Sequence, residues 1–356
     1  MCGLAGYINL TRAEFCADDS LLQAMQATIA HRGPDGFRTW ISPQHHLALV
    51  HRRLSIVDLS DAGFQPMFDQ DRTVAVCCNG EIYNHPALRR ELEALGHSYS
   101  SHSDTETIVY AYKQWGIDFI HRLSGMFVIV LFDIQRNELY IIRDRFGIKP
   151  LYFSLQGGVL SFASEIKALW PLPWIAKNLN TTAFYHYLTY LVTPAPMTLY
   201  QGVYKLPAGQ YLKLDAQRAL TFHEWYNPMA AIAGQPMITD EDEAVATLRV
   251  LLRNSIQSHM MSDVPYGVFL SGGIDSSLNV ALMSEFTDRV KTFNVSFSDG
   301  PEYSEVAWAR KVAQQFNTDH HEIVISEKDA FAFFHDMVHY QDEPIADCVC
   351  IPLYYV

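Results

Sequence analysis

The sequence predicts two domains of different class. The first is a layered α+β domain and the second an α/β domain built on a doubly wound parallel sheet. Up to about residue 212, short runs rich in β-branched and aromatic residues alternate with turn residues, with few helical stretches. After about residue 237, strand and helix alternate strictly. Between the two, "LVTPAPMTLYQGVYKLPAGQY" and "NPMAAIAGQPM" hold much of the Pro and Gly and read as a connector with a short β element. With 356 residues, two domains are the better expectation than one. The expected division is 1–212, a connector at 213–236, and 237–356.

In the first domain the predicted strands are "LAGYIN", "HLALVH", "TVAVCC", "GMFVIVLFD", "ELYIIRD", "PLYFS" and "GVLSFAS". Helices are predicted over 20–30, 86–95 and 105–115; the second has Pro86 in its first turn and Gly96 just past its end. The second domain opens with the helical stretch "TDEDEAVATLRVLLRNSIQSHMM", acidic in its first turn. The strand "YGVFL", a Gly-rich loop, the helix "SSLNVALMSEF", the strand "KTFNVSF", the helix "SEVAWARKVAQQF" and the strand "HHEIVI" follow. The sequence stops at "IPLYYV" after about three βα units. The expected second domain is therefore the N-terminal part of a larger one, with an unfinished edge and exposed apolar surface.

Composition narrows the function. A net charge of −13 argues against a nucleic-acid or anionic-membrane partner. It leaves phosphate binding open, because a local nest of backbone N–H groups can hold an anion in an acidic protein. The longest apolar run, "MFVIVLF" at 126–132, is far short of the ~20 residues of a membrane span. The N-terminus lacks the basic-then-apolar pattern of a signal peptide. Cys2, Cys16, Cys77, Cys78, Cys348 and Cys350 form no CxxC pair or disulfide framework, which fits a reducing cytoplasm. The His pairs at 45–46 and 320–321 have no ligand partners at suitable spacing, and no zinc is expected.

Two stretches carry chemistry. In "FLSGGIDSSLNVALM" a strand ends at Leu270 and a helix starts near Ser276. Gly272 and Gly273 let the backbone wrap an anion, and the helix start adds free N–H groups. Ser271, Ser276 and Ser277 offer hydroxyls, and Asp275 can hold Mg²⁺ beside phosphates. An ordinary strand-to-helix turn seldom needs all of these together. Neither GxxxxGK[ST] nor GxGxxG is present. The second stretch is the N-terminal "MCGLAGY". With Met1 removed, Cys2 carries a thiol and a free α-amine on one carbon, a nucleophile with its own base. By position alone, a small packed residue is the commoner outcome.

The loop SGGxDSS resembles the pyrophosphate loop of ATP pyrophosphatases. The first half resembles the class II glutamine amidotransferase domain, an N-terminal-nucleophile hydrolase with an αββα sandwich. The matching stretches are "MCGLAGY" (1–7), "HRGPDG" (31–36), "HRRLSIVD" (51–58), "NGEIYN" (79–84), "SDTE" (103–106), "LSGMFVIVLFD" (123–133) and "RDRFGIKPLY" (143–152). With "SGGIDSS" and "DEPIAD" (342–347), the chain resembles the glutamine-hydrolysing asparagine synthetase family along nearly its whole length. The family's later "SGEGADE"-type loop lies beyond the region present.

The resemblance implies a chemistry for named residues. Cys2 attacks the glutamine amide, and its α-amine, with a reference pKa of about 7.7–8.0, shuttles the proton. The Asn79 side chain and the Gly80 N–H form the oxyanion hole. Arg53 suits the glutamine carboxylate as a bidentate fork, with Leu54, Ser55, Ile56 and Val57 beside it. Asp104, with Glu81, suits the α-ammonium. In the second domain Leu270, Ser271, Gly272, Gly273, Asp275, Ser276, Ser277 and Val295 contact ATP, with Asp275 as a magnesium ligand. The implied reaction amidates the side-chain carboxylate of aspartate with tunnelled ammonia, and a homodimer is possible.

Simpler readings stand beside these. Asp104 can be a helix N-cap and Arg53 a surface ion pair. Arg52 suits an ion pair, and Asn79-Gly80 a hairpin turn. His31 and His51 are expected to be structural. The acceptor can be another carboxylate, such as a uronic acid. A shortened glutaminase or a regulatory, non-catalytic chain is the alternative of a different class.

Overall fold

The computed structural model describes residues 2–11, 17–299, 304–347 and 349–355; Cys16 and Cys348 lie outside them. The chain divides into two compact units, Met1–Gly234 and Gln235–Val356.

The first unit is a sandwich of two antiparallel six-stranded sheets. Its elements in chain order are β1 (Gly3–Asn9), α1 (Asp19–Thr28), β2 (Gly36–Ile41), β3 (Leu47–Arg53), β4 (Met67–Phe68), β5 (Val74–Ile82), α2 (His85–Ala94) and α3 (Asp104–Trp115). There follow β6 (Gly125–Asp133), β7 (Glu138–Arg143), β8 (Tyr152–Gln156), β9 (Val159–Ala163), α4 (Thr181–Tyr190), β10 (Val203–Lys205), β11 (Gln210–Leu214), β12 (Leu220–Glu224) and the short α5 (Pro228–Ile232). One sheet runs β10-β8-β9-β1-β3-β2 and the other β12-β11-β7-β6-β5-β4.

Strand periodicity explains the layering. Leu4, Ile8 and Leu49 from one sheet meet Val128, Val130 and Ile141 from the other between the sheets. The alternate residues Ala5, Tyr7 and Val50 pack outward under Leu22, Met25 and Ile29 of α1 and its exit. Val76, Cys78 and Ile129 pack outward under α2 and α3. The two faces of each central strand are therefore both buried, which is why runs such as "VAVCC" are continuously apolar. Cys77 and Cys78 fill opposite faces of one strand as free thiols, as do Cys2 and Cys350 elsewhere. This layering is the αββα arrangement implied by the resemblance.

Two expectations change. The boundary near residue 212 falls inside β11, because β11 and β12 pair with each other and β11 pairs with β7. The expected connector thus supplies the edge of the second sheet, and the first unit runs to Gly234. Asn79-Gly80 is no hairpin turn: both residues lie inside β5, opposite Val128 and Phe127 of β6.

The second unit holds α6 (Glu241–His259), β13 (Val268–Phe269), α7 (Ile274–Met283), β14 (Lys291–Phe297), α8 (Val306–Gln315), β15 (Asp319–Ile325), α9 (Glu327–Tyr340) and α10 (Cys350–Tyr355). Its sheet β13-β14-β15 is parallel, with helices as crossovers. Leu270, Val280, Ala309 and Ala313 form a small core. Phe269, Val324, Leu248, Leu251, Phe331 and Phe334 are exposed. No helix among the described residues is long and apolar enough to cross a membrane.

Candidate active site

Cys2 sits at the head of β1, which lies between β3 and β9 in the middle of its sheet. The Leu54 N–H donates to its Sγ at 3.4 Å, and the thiol faces the Leu54 carbonyl at 3.6 Å. Arg32 Nε donates to the Cys2 carbonyl at 3.0 Å. Burial pushes the thiol pKa up against the Leu54 contact, and the carboxylates of Glu81 and Asp104 push it further. A thiol in that setting needs a base to lose its proton.

The register of β5 sets where Asn79 and Gly80 point. Side chains alternate along the strand: Cys78 and Ile82 face α2 and α3, whereas Cys77 faces the other sheet. Asn79 and Glu81, by the same alternation, face the sheet that carries Cys2. Backbone N–H groups alternate as well. Those of Cys78 and Ile82 leave β6 and donate to Gln65 Oε1 at 2.5 Å and Asp104 Oδ2 at 2.8 Å. The Gly80 N–H lies between these two on the same edge. Its neighbour on β6, Phe127, exchanges bonds with Asp144 instead. Asn79 is fully buried; its Nδ2 reaches Ser164 Oγ at 3.4 Å and its Oδ1 has no partner among the described residues. A side chain at Gly80 would run into the Met126 carbonyl and Phe127 Cα, so glycine is needed for strand contact.

Glu81 and Asp104 form an acidic pair. Burial and the Asp104 charge push Glu81 up to about 8, opposed by Lys149. Burial also raises Asp104, against the N–H groups of Ile82 and Thr105. A cation placed between them would relieve both. The N-cap of α3 is Ser103, whose hydroxyl accepts from Thr105 N at 3.2 Å, so the capping reading of Asp104 is corrected. Arg53 is buried, not a surface ion pair. It donates to the carbonyls of Ser60, at 2.6 Å, and Asp58. Those bonds use two of five guanidinium donors. Leu54, Ser55, Ile56 and Val57 form the half-buried loop after it, with Ser55 N donating to Asp35 Oδ2 at 2.7 Å. Arg52 forms no ion pair among the described residues; it lies over the Phe37 ring at 5.0 Å.

Four residues escaped the sequence reading. Ser164 Oγ accepts from Leu4 N at 3.1 Å as well as from Asn79, joining β1 to β5. Glu165 binds Arg32 at 2.8 Å, His31 at 3.0 Å and Lys167 at 2.6 Å. Burial would raise its pKa, but the hydrogen bonds from His31, Arg32 and Lys167, with the Lys167 charge, outweigh burial and hold it at about 2. Through Arg32 it steadies the Cys2 carbonyl. Buried Lys149 adds positive charge beside Glu81 and Cys2. Arg32 and Lys149 lay inside quoted motifs; the "SE" after "VLSFA" had no signal of its own. His51 bonds the Cys78 carbonyl through Nε2 at 3.1 Å, and burial lowers its pKa to about 4, a structural histidine as expected.

In the second unit, Gly272 has φ +88°, and a Cβ there would meet Trp308 Cβ at 2.5 Å and Ala309 N at 2.6 Å. Helix α7 starts at Ile274 rather than near Ser276, and its N-cap Gly273 supplies no side-chain bond. The first-turn N–H groups are thus left for a ligand. Ser271 Oγ lies 3.1 Å from Ser276 Oγ and accepts from Gly273 N at 3.2 Å. Asp275 is exposed and Ser277 half-buried on the same turn. Leu270 N bonds Phe293 O at 2.8 Å, which places Leu270 and Val295 on adjacent strands at the loop end of the sheet. Among the described residues no cluster of three or more His, Cys, Asp or Glu forms a metal site. A single carboxylate such as Asp275 suits Mg²⁺ when phosphates supply the other ligands.

The sequence matches two family models, a glutamine amidotransferase domain over residues 1–226 and asparagine synthase over residues 247–356. A putative glutamine-hydrolysing asparagine synthetase of Methanocaldococcus jannaschii is 32% identical over 100% of this chain and 71% of its own length. The chain belongs to the glutamine-hydrolysing asparagine synthetase family. Asparagine synthetase 1 of Bacillus subtilis is 36% identical over 100% of this chain and 55% of its own length. Amidase chry2 of Gibberella zeae is 30% identical over 98% and 54%. The chain thus spans little more than half the length of several family members it matches.

Proposed function

We propose that the first unit hydrolyses glutamine and that the second uses ATP to activate a carboxylate, aspartate above all, for amidation by the released ammonia. What supports this is that the Glu81 and Asp104 carboxylates act on the Cys2 thiol and that Asn79 is tied through Ser164 to the strand headed by Cys2.

After removal of Met1, the Cys2 α-amine takes the thiol proton and Sγ attacks the amide carbon. Asn79 Nδ2 and the Gly80 N–H receive the negative charge on the carbonyl oxygen. The C–N bond breaks as the amine returns the proton to nitrogen, and ammonia leaves. Water then cleaves the thioester to glutamate. Arg53 holds the substrate carboxylate and the Glu81–Asp104 pair its ammonium. In the second unit the Ser271–Ser277 turn cradles the phosphates, with AMP and pyrophosphate as products. Asp275 would hold Mg²⁺, which neutralises phosphate charge when bound. A buried path for the ammonia would keep it unprotonated and nucleophilic.

The test is N-terminal sequencing together with glutamate release. Active protein is expected to begin at Cys2, and Cys2→Ala to abolish release with the fold retained. Undiminished activity in that variant would refute the assignment. The acceptor is tested by following asparagine and AMP with aspartate supplied.

A further inference from the structure

We propose that the first unit carries a second site, for a small molecule bearing at least two negative charges. We also propose that its occupancy is felt at Arg53. The coupling half of this rests on the reading that Arg53 holds the glutamine carboxylate.

The site is a cavity of about 390 Å³ between the 62–72 segment and the 100–110 segment, with Arg38 of β2 on its wall. That size lies within the usual range for small-ligand sites, roughly 300–1,000 Å³. Its acidic walls are already committed. Glu106 accepts from the N–H and hydroxyl groups of Ser100 and Ser101. Asp69 accepts from Thr73, Val74 and Lys113. Two cations on the same cavity, Arg38 and Arg72, have no acidic partner among the described residues. They sit over aromatic rings, Arg38 at 4.7 Å from the Phe64 centroid and Arg72 at 3.8 Å from that of Phe68. Stacking restrains a guanidinium while leaving its N–H fork available to phosphate or carboxylate oxygens. Arg72 also has φ +53° at a tight turn, a conformation that glycine or asparagine adopts with less strain. Two guanidiniums without an acidic partner among the described residues thus line one cavity in a chain of net charge −13.

Phe64 links the cavity to the glutamine site. The Arg53 guanidinium lies over the same ring at 5.1 Å, and Gly63 leaves it room: a Cβ at Gly63 would run into Arg53 Nη2 and come within 2.5 Å of its Cζ. An anion that draws on Arg38 changes the platform Arg53 rests on. The opposite wall includes Ser101 and Glu106, bonded to each other; Asp104, which accepts from Ile82 N, lies between them in sequence.

The experiment is calorimetric titration of the full chain with inorganic pyrophosphate and, separately, succinate, followed by the glutamine KM with and without each probe. Binding by pyrophosphate alone that depends on Arg38 and Arg72 assigns a phosphate ligand, and such binding by succinate a dicarboxylate. At least tenfold weaker binding is expected in Arg38→Ala/Arg72→Ala, both residues being exposed and outside the catalytic groups. Gly272→Ala is expected to retain it, which separates this site from the phosphate loop of the second unit. The bound probe is expected to shift the glutamine KM at least threefold in the parent chain and not in the double variant. No heat with either probe, or identical isotherms in the double variant, would overturn the site. Binding without a KM shift would overturn the coupling. If Arg53→Ala leaves KM unchanged while the Arg38/Arg72-dependent heat remains, it is the reading of Arg53 that fails.

Discussion

Glutamine binding is expected to expel a proton from Glu81. Burial and the charge of Asp104 hold its carboxyl at about 8, against 4.5 for an ordinary glutamate. At pH 7 the empty site therefore holds ~0.9 of a proton on this group. The ammonium of glutamine needs the ionised form, so binding should release nearly that whole proton. Binding should also tighten by about 25-fold from pH 6.5 to pH 8.5, approaching tenfold per pH unit at the acidic end and levelling above 8. Calorimetry on Cys2→Ala, which binds glutamine without turning it over, measures the release directly. The apparent enthalpy is plotted against buffer ionisation enthalpy, and the slope counts protons. A slope near zero at pH 7, or an undiminished slope in Glu81→Gln, would refute the reasoning. The same shift bears on stability. The unfolded chain loses the Glu81 proton near pH 4.5 and the folded chain near 8, so between these values the unfolded state binds fewer protons. Unliganded stability should fall as pH climbs through that window, be unaffected below it, and level off above it.

Asn79→Ala should lower glutaminase kcat by about 10²–10³, the loss of one oxyanion donor, with little change in glutamine KM. Little stability should be lost, since Asn79 makes one long bond to Ser164 and leaves its Oδ1 unpaired; steady-state kinetics and thermal melts check both. Asp104→Asn should raise KM at least tenfold through loss of an ionic partner for the ammonium, while α3 keeps its Ser103 cap. A lower melting temperature with unchanged KM would restore the capping role. Gly272→Ala should abolish ATP binding in a nucleotide titration, because its Cβ would press on Trp308 and Ala309 at a φ of +88°; glutaminase activity should persist.

Much of the molecule was legible because local chemistry and local periodicity carried it. Pro86 ahead of Gly96 marked α2, and the strict β–α alternation after residue 237 marked a parallel sheet. Two glycines with three serines and Asp275 marked a tight strand-to-helix turn, which the start of α7 at Ile274 matches. A cysteine behind the start methionine had meaning only beside its companion motifs, and those lie in one dimension along the chain.

Tertiary structure decided what depended on partners distant in sequence. Dipeptide chemistry suggested a turn at Asn79-Gly80, but β6 pairs through that position, and strand pairing overrode the local preference. The same pairing set the alternation that sends Asn79 and Glu81 toward Cys2 and the Gly80 N–H to the open edge. Ser164 and Glu165 gained their roles by standing opposite Leu4, Asn79 and Arg32, some 85 to 160 residues away. The acidity of Glu81 is likewise a property of enclosure: a carboxyl in a loop exposed to water would titrate near 4.5, and only burial beside Asp104 moves it toward neutral pH. Sequence specifies which groups are present; desolvation and distance, set by the packed sheets, determine their protonation state and reach.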